Sequence, residues 1–124
     1  MIYLDTHVVV ALYQDVSLLT RRARQYLSKK SEIFISPMAY LELVILCELN
    51  RIRYAPRTIL DHLEESIGAT LCSKSFDLVI LAAAELGWTR DPFDRIIVAQ
   101  AKLENDTLLT KDANILRHYR RAVW

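Results

Sequence analysis

The chain has 124 residues, of which 52% are hydrophobic and 25% charged, and its 16 Lys plus Arg against 15 Asp plus Glu leave a formal net charge of +1. That length predicts one domain spanning residues 1–124, large enough to bury a core without disulfides or metal staples. The composition excludes a disordered chain and a bulk polycation, so nucleic-acid binding would have to come from local basic clusters or from metal ions.

The chain opens on a short apolar run, Ile2-Tyr3-Leu4, that reads as a buried strand, with a helix over 6–13 after it. A second helix is expected over 18–27 with Ser17 as its N-cap, and it carries the basic group Arg21, Arg22 and Arg24. Residues 32–35, containing Ile33, Phe34 and Ile35, read as a second strand. Ser36-Pro37 is an N-cap followed by a first-turn proline, and starts a helix to about Arg51. Pro56 starts another, which Gly68 ends after Ile67, and 69–72 is a third short strand. A helix over 75–86 is ended by Gly87, and Asp91-Pro92 starts the next, running to about Glu104. Thr107-Leu108-Leu109 is a strand, 113–119 a short helix, and 122–124 a last strand.

Short apolar runs alternating with helices are the pattern of βαβ units. The fold class is therefore α/β: three layers, α/β/α, with a short, mostly parallel central sheet of about 4–5 strands flanked by helices. Ligands of such folds bind beyond the carboxyl ends of the strands. Only 2 Gly and 3 Pro fit a helix-rich chain with short connections. Cys47 and Cys72 form no C-x-x-C pair and read as small core residues in a reducing cytosol. The first residues lack a basic n-region, and no run approaches the roughly 20 apolar residues of a membrane span, so a cytoplasmic chain without membrane attachment is expected.

Four acids carry the chemistry. Asp5 follows the first strand directly, and Asp112 follows Leu109 after Thr110-Lys111, so both are expected at the carboxyl edge of the sheet. Each is equally suited to cap the helix after it. Glu42 has Met38, Ala39, Ile45 and Leu46 one turn away. A carboxylate centred on an apolar stripe needs a cation, a hydrogen-bond network or a raised pKa, the ordinary solution being a salt bridge. Glu48, by contrast, has Arg51 at i+3 for an ordinary ion pair. Asp91 before Pro92 reads as an N-cap. Asp94, at the third helical position, suits the helix dipole, yet its next-turn neighbours Ile97 and Val98 turn it inward. Carboxylates gathered at one sheet edge repel one another unless hard cations neutralise them, and an all-oxygen set selects Mg²⁺ or Mn²⁺. His7, His62 and His118 lack zinc-ligand spacing. Ions held this way can clamp a phosphodiester, acidify a bound water and stabilise the leaving oxygen. No Gly-rich phosphate loop is present, which argues against a nucleotide-triphosphate motor.

The segments Tyr3-Leu4-Asp5-Thr6-His7, Glu42 on the helix after Ser36-Pro37, Asp91-Pro92-Phe93-Asp94-Arg95-Ile96-Ile97-Val98-Ala99-Gln100-Ala101, and Leu108-Leu109-Thr110-Lys111-Asp112 resemble the PIN domain family. More narrowly they resemble VapC-type toxins of prokaryotic toxin–antitoxin pairs, from residue 2 to about residue 119. The resemblance implies a PIN-like fold and a Mg²⁺- or Mn²⁺-dependent endoribonuclease that hydrolyses RNA phosphodiester bonds. It also implies neutralisation by a cognate antitoxin and a homodimer. Carried over residue by residue, Asp5, Glu42, Asp94 and Asp112 match the catalytic and metal-binding quartet, with Asp5 and Asp94 as the most direct ligands. Thr6 and Thr110 match supporting hydroxyls, and Asp91 supports the quartet as a cap. Many members carry Asn where this chain has His7, and His7 is given no catalytic role.

Arg21, Arg22, Arg24 and Arg95 are candidate RNA contacts, as are Arg51, Arg53 and Arg57, or Arg117, Arg120 and Arg121; each cluster is equally an ordinary solvated face. Tyr54, Trp88 and Tyr119 are candidates for base stacking, against the plainer role of packing. Two other readings compete. One is a PIN-like RNA- or protein-binding module that does not cut. The other is a phosphoacceptor receiver domain, which asks for an acid pair after the first strand, where Asp5 has no acidic neighbour.

Overall fold

The computed structural model describes residues 1–124. β1 (Ile2–Leu4) is buried along its whole length, as a wholly apolar strand must be when it lies between two others. β2 (Ile33–Ile35) and β4 (Thr107–Leu109) flank it in parallel, with Leu4 in register with Ile35 on one side and Leu109 on the other. β3 (Thr70–Leu71) and β5 (Ala122–Val123) complete an all-parallel sheet in the order β3-β2-β1-β4-β5.

This order positions the site. The chain steps outward from β1 to β2 and β3, then returns to lay β4 on the other side of β1. The direction of winding therefore reverses between β1 and β4, and ligands of open α/β sheets bind in the crevice at such a point. Receiver domains are wound in the order 2-1-3-4-5, so the topology separates this chain from them.

The connections are α1 (Thr6–Gln14), a 3₁₀ turn (Val16–Leu18), α2 (Arg21–Leu27), α3 (Pro37–Glu48), α4 (Pro56–Ile67), α5 (Phe76–Ala84), α6 (Pro92–Leu103) and α7 (Ala113–His118). α1, α3 and α4 pack on one another, and α6 packs on α3 and α5. Val8, Val9, Leu43, Ile59, Leu63, Ile97 and Ile115 from these helices are fully buried with Tyr3, Leu4, Ile35, Leu108 and Leu109 of the sheet. Each large aliphatic side chain so buried contributes about 1.5–3 kcal/mol.

Three helices end in the same way. A residue at the cap or just after it takes the left-handed conformation: Asn50 (φ 57°), Gly68 (φ 68°) and Asn105 (φ 57°). The next backbone N–H then reaches back to the final turn: Arg51 to the Leu46 carbonyl (2.8 Å), Ala69 to Leu63 (3.2 Å) and Asp106 to Ala101 (2.8 Å). Asparagine is the best substitute for glycine at this position, which is how a chain with 2 glycines closes three helices this way.

Three boundaries differ from the sequence reading. α2 begins at Arg21, capped by Thr20 Oγ1, which accepts the Ala23 N–H at 3.1 Å. Ser17 lies inside the preceding 3₁₀ turn, which Asp15 caps. α3 stops at Glu48, short of Arg51, because Asn50 turns the chain. α5 stops at Ala84, so Gly87 does not cap it. Cys72 is buried, Cys47 half-buried, and both are free thiols. No helix is long and apolar enough to cross a membrane. The most exposed apolar side chains are on α5, where Phe76 is 73% and Leu81 67% exposed.

Candidate active site

The β1–β4 ladder continues one residue beyond the strands, because Asp5 N–H donates to the Leu109 carbonyl at 3.0 Å. This fixes Asp5 at the winding reversal with its side chain buried. Oδ1 accepts the Thr6 N–H at 2.8 Å and Oδ2 accepts the Thr110 hydroxyl at 2.6 Å. Thr110 Oγ1 in turn accepts the Asp112 N–H at 3.0 Å, so one buried hydroxyl joins the two strand ends.

Asp112 caps α7, its Oδ1 accepting from Asn114 N–H (2.8 Å) and Ile115 N–H (2.9 Å). Asp91 caps α6 through Phe93 N–H (2.8 Å) and Asp94 N–H (3.4 Å). Capping and cleft-lining thus coexist. Asp5, Thr6, Glu42, Asp91, Asp94 and Asp112 all line one cleft of about 580 Å³, together with His7, Arg51, Lys111, Trp124 and the apolar Val10, Leu46 and Ile52.

The crowding is visible in the electrostatics. Burial pushes the Asp94 carboxyl up from 3.8 to about 7, reinforced by the negative charges of Asp91, Asp5, Asp112 and Glu42. Glu42 is raised too, first by burial and then by Asp5 and Asp91, while the Thr6 hydroxyl facing it acts in the opposite direction. Thr6 Oγ1 is buried without a partner at hydrogen-bonding geometry. Burial lowers the His7 pKa, against the opposing pull of Asp5 and Asp112.

A hard divalent cation fits this donor chemistry: a set of carboxylate oxygens, a carboxyl destabilised by burial and then by its neighbours' charge, and an orphaned buried hydroxyl. The acids do not form a closed cage, and no three His, Cys, Asp or Glu side chains converge tightly enough to clasp an ion. The hydrogen bonds explain why. Both Asp5 oxygens are engaged, and one oxygen each of Asp91 and Asp112 is turned to helix N–H groups.

The structure therefore brings Asp5, Thr6, Glu42, Asp91, Asp94 and Asp112 together, with Thr110 behind Asp5. Of the basic candidates it brings in Arg51 alone. Arg21, Arg22 and Arg24 are exposed on α2 and line no part of the cleft, and Arg95 Nε donates to the Thr89 carbonyl at 2.7 Å, bracing the turn before α6. Tyr119 is buried, Tyr54 packs edge-on against Tyr13, and Trp88 stacks on His118. The expected Glu48–Arg51 pair does not form; the turn at Asn50 carries Arg51 onto the cleft wall instead. Lys111 and Trp124 are cleft residues with no signal in the sequence.

The family model of the PIN domain matches residues 2–121. The chain belongs to the PIN domain family. Solved structures share the PIN fold across its whole length. VapBC2 from Rickettsia felis, bound to a DNA fragment from its promoter, gives a TM-score of 0.63 at 20% identity, covering 99% of this chain and 96% of that one. VapBC-1 from nontypeable Haemophilus influenzae gives 0.61 at 18% identity, covering 98% and 92%. FitAcB from Neisseria gonorrhoeae gives 0.52 at 19% identity, covering 100% and 96%. At such identities these likenesses speak for the fold. No curated protein matches this PIN domain chain.

Proposed function

We infer that this PIN domain is a Mg²⁺- or Mn²⁺-dependent endoribonuclease, the toxin of a toxin–antitoxin pair acting in the cytosol. The observation that carries the reading is the gathering of Asp5, Glu42, Asp91, Asp94 and Asp112 around one cleft, where burial and then the neighbouring charges raise the Asp94 carboxyl to about 7. Mutual repulsion disfavours such a gathering, and a bound cation would relieve it. Support for an antitoxin partner comes from the fold neighbours, two of which are VapBC proteins. Pairing with a second copy of the chain belongs to the same reading, as does the single PIN domain over residues 1–124.

Asp5 and Asp94 are assigned as direct ligands of the ion, and Glu42 and Asp112 as holders of a second ion or of the attacking water. When bound, a divalent ion supplies polarisation of the phosphodiester and acidification of water. The water oxygen gives up a proton and bonds to phosphorus as the in-line P–O bond to the leaving oxygen breaks, and the leaving oxygen takes up a proton from solvent, so the proton count balances. Arg51 and Lys111, the cations of the cleft wall, take the RNA backbone phosphates. The test is cleavage of RNA by the purified chain with Mg²⁺ or Mn²⁺. The parent should cut, and Asp5→Ala and Asp94→Asn should lose at least a hundredfold. Equal cleavage by all three overturns the assignment, and intact RNA binding without cleavage by any assigns a binding module.

A further inference from the structure

His7 sits in the first turn of α1, and its imidazole crosses from that helix to the segment after β4. The Lys111 N–H donates to Nε2 at 2.8 Å. A ring nitrogen that accepts carries no proton, so the neutral ring holds its proton on Nδ1. Nδ1 faces Asp5 Oδ2 at 3.5 Å. Trp124 meets the ring edge-on, with centroids 5.9 Å apart at 71°. The Asp5 carboxylate therefore meets the segment that carries Asp112 along two paths, one of hydrogen bonds throughout and one that begins with the 3.5 Å polar contact to Nδ1 and ends in the Lys111 hydrogen bond. One passes through the Thr110 hydroxyl and the other through His7, and both start at Oδ2.

We propose that His7 is a positioning residue: as the Nδ1–H tautomer it ties the Asp5 carboxylate to the Lys111 backbone, and so sets how Asp5 and Asp112 face each other across the cleft. The inference rests on reading that cleft as the cation site. Thr110 holds the Asp112 N–H, and the Lys111 N–H is held by His7. Groups that orient ligating side chains from behind typically change metal affinity 10–100-fold. A ring that only fills space against Trp124 would have no preferred tautomer and no effect on cation binding.

The experiment uses the cation-free protein first. Nitrogen-15 spectra of the His7 imidazole at pH 7.5 should show the proton on Nδ1. His7→Gln puts an amide oxygen near the Nε2 position, His7→Asn puts an amide nitrogen near Nδ1, and His7→Leu supplies neither. Exchange of the Lys111 amide should quicken about tenfold or more in the Leu and Asn variants and stay near the parent rate in Gln, with β1 and β4 amides unchanged. Mn²⁺ affinity should fall about 10–100-fold in His7→Leu and recover in part in His7→Gln. A proton on Nε2 in the parent overturns the proposal. So does a His7→Leu protein with parental Lys111 exchange and parental Mn²⁺ affinity. A parent that binds no Mn²⁺ overturns both the nuclease reading and the positioning role, whereas a parent that binds Mn²⁺ beside a His7→Leu variant of parental affinity removes the positioning role alone.

Discussion

Replacing Asp94 by Asn should stabilise the cation-free protein, and only above acid pH. In the unfolded chain the Asp94 carboxyl releases its proton near 3.8, whereas in the folded chain it holds it to about 7. Between those values the folded state binds a proton that the unfolded state lacks, so stability falls as pH rises through this window and levels off above it. A displacement of that size corresponds to roughly 4 kcal/mol at full strength. Asp94 is only partly buried, and solvent screening reduces the cost to about 1–2 kcal/mol. From this the favourable interaction of a carboxylate with the α6 N-terminus, about 0.3–1 kcal/mol, must be subtracted. Urea unfolding with chelator present, from pH 4 to pH 8.5, should show the parent losing about 1 kcal/mol relative to Asp94→Asn. That is a few degrees in Tm at pH 8, shrinking to nothing toward pH 4. An Asn variant less stable than the parent by the same amount at every pH would refute the reasoning. It would make Asp94 a helix-terminus residue without electrostatic strain.

Two further perturbations separate the parts of the site. Thr110→Val keeps the shape but removes the buried hydroxyl that bonds Asp5 and Asp112; it should cost about 1.5–3 kcal/mol in thermal unfolding, whereas a cost below about 0.5 kcal/mol would deny the bridge. Arg51→Ala in an Asp94→Asn background should weaken RNA binding several-fold and lower the slope of log affinity against log salt by about one, measured by fluorescence anisotropy. An unchanged slope would remove Arg51 from the RNA path.

The order of strands and helices is legible in the sequence because the central apolar runs must be buried and several helices carry their own start signal, as Ser36-Pro37 and Asp91-Pro92 do. The acids are legible for the same reason: Asp5 and Asp112 follow strands that topology brings side by side, and Glu42 and Asp94 stand on apolar faces. What stays hidden depends on contacts distant in the chain or on local backbone choice. Ser17 reads as the cap of α2 by residue type, and the structure gives that place to Thr20, a residue of similar capping propensity three positions on. Arg51 was assigned to Glu48 by helical spacing, and the left-handed turn at Asn50 broke that spacing. His7 gave no sign of its role because its partner is the backbone N–H of Lys111, a group every residue but proline carries. Arg21, Arg22 and Arg24 formed the densest basic cluster, yet density on an exposed helix says nothing about distance from the acids.

The central claim is that these carboxylates exist to hold a divalent cation, and calorimetric titration of the chelator-treated protein with Mn²⁺ at pH 7.5 tests it most directly. The account predicts saturable binding with proton release, weakening as pH falls, and lost in both Asp5→Asn and Asp94→Asn. Absence of binding by the parent, or binding left intact in both variants, would contradict it.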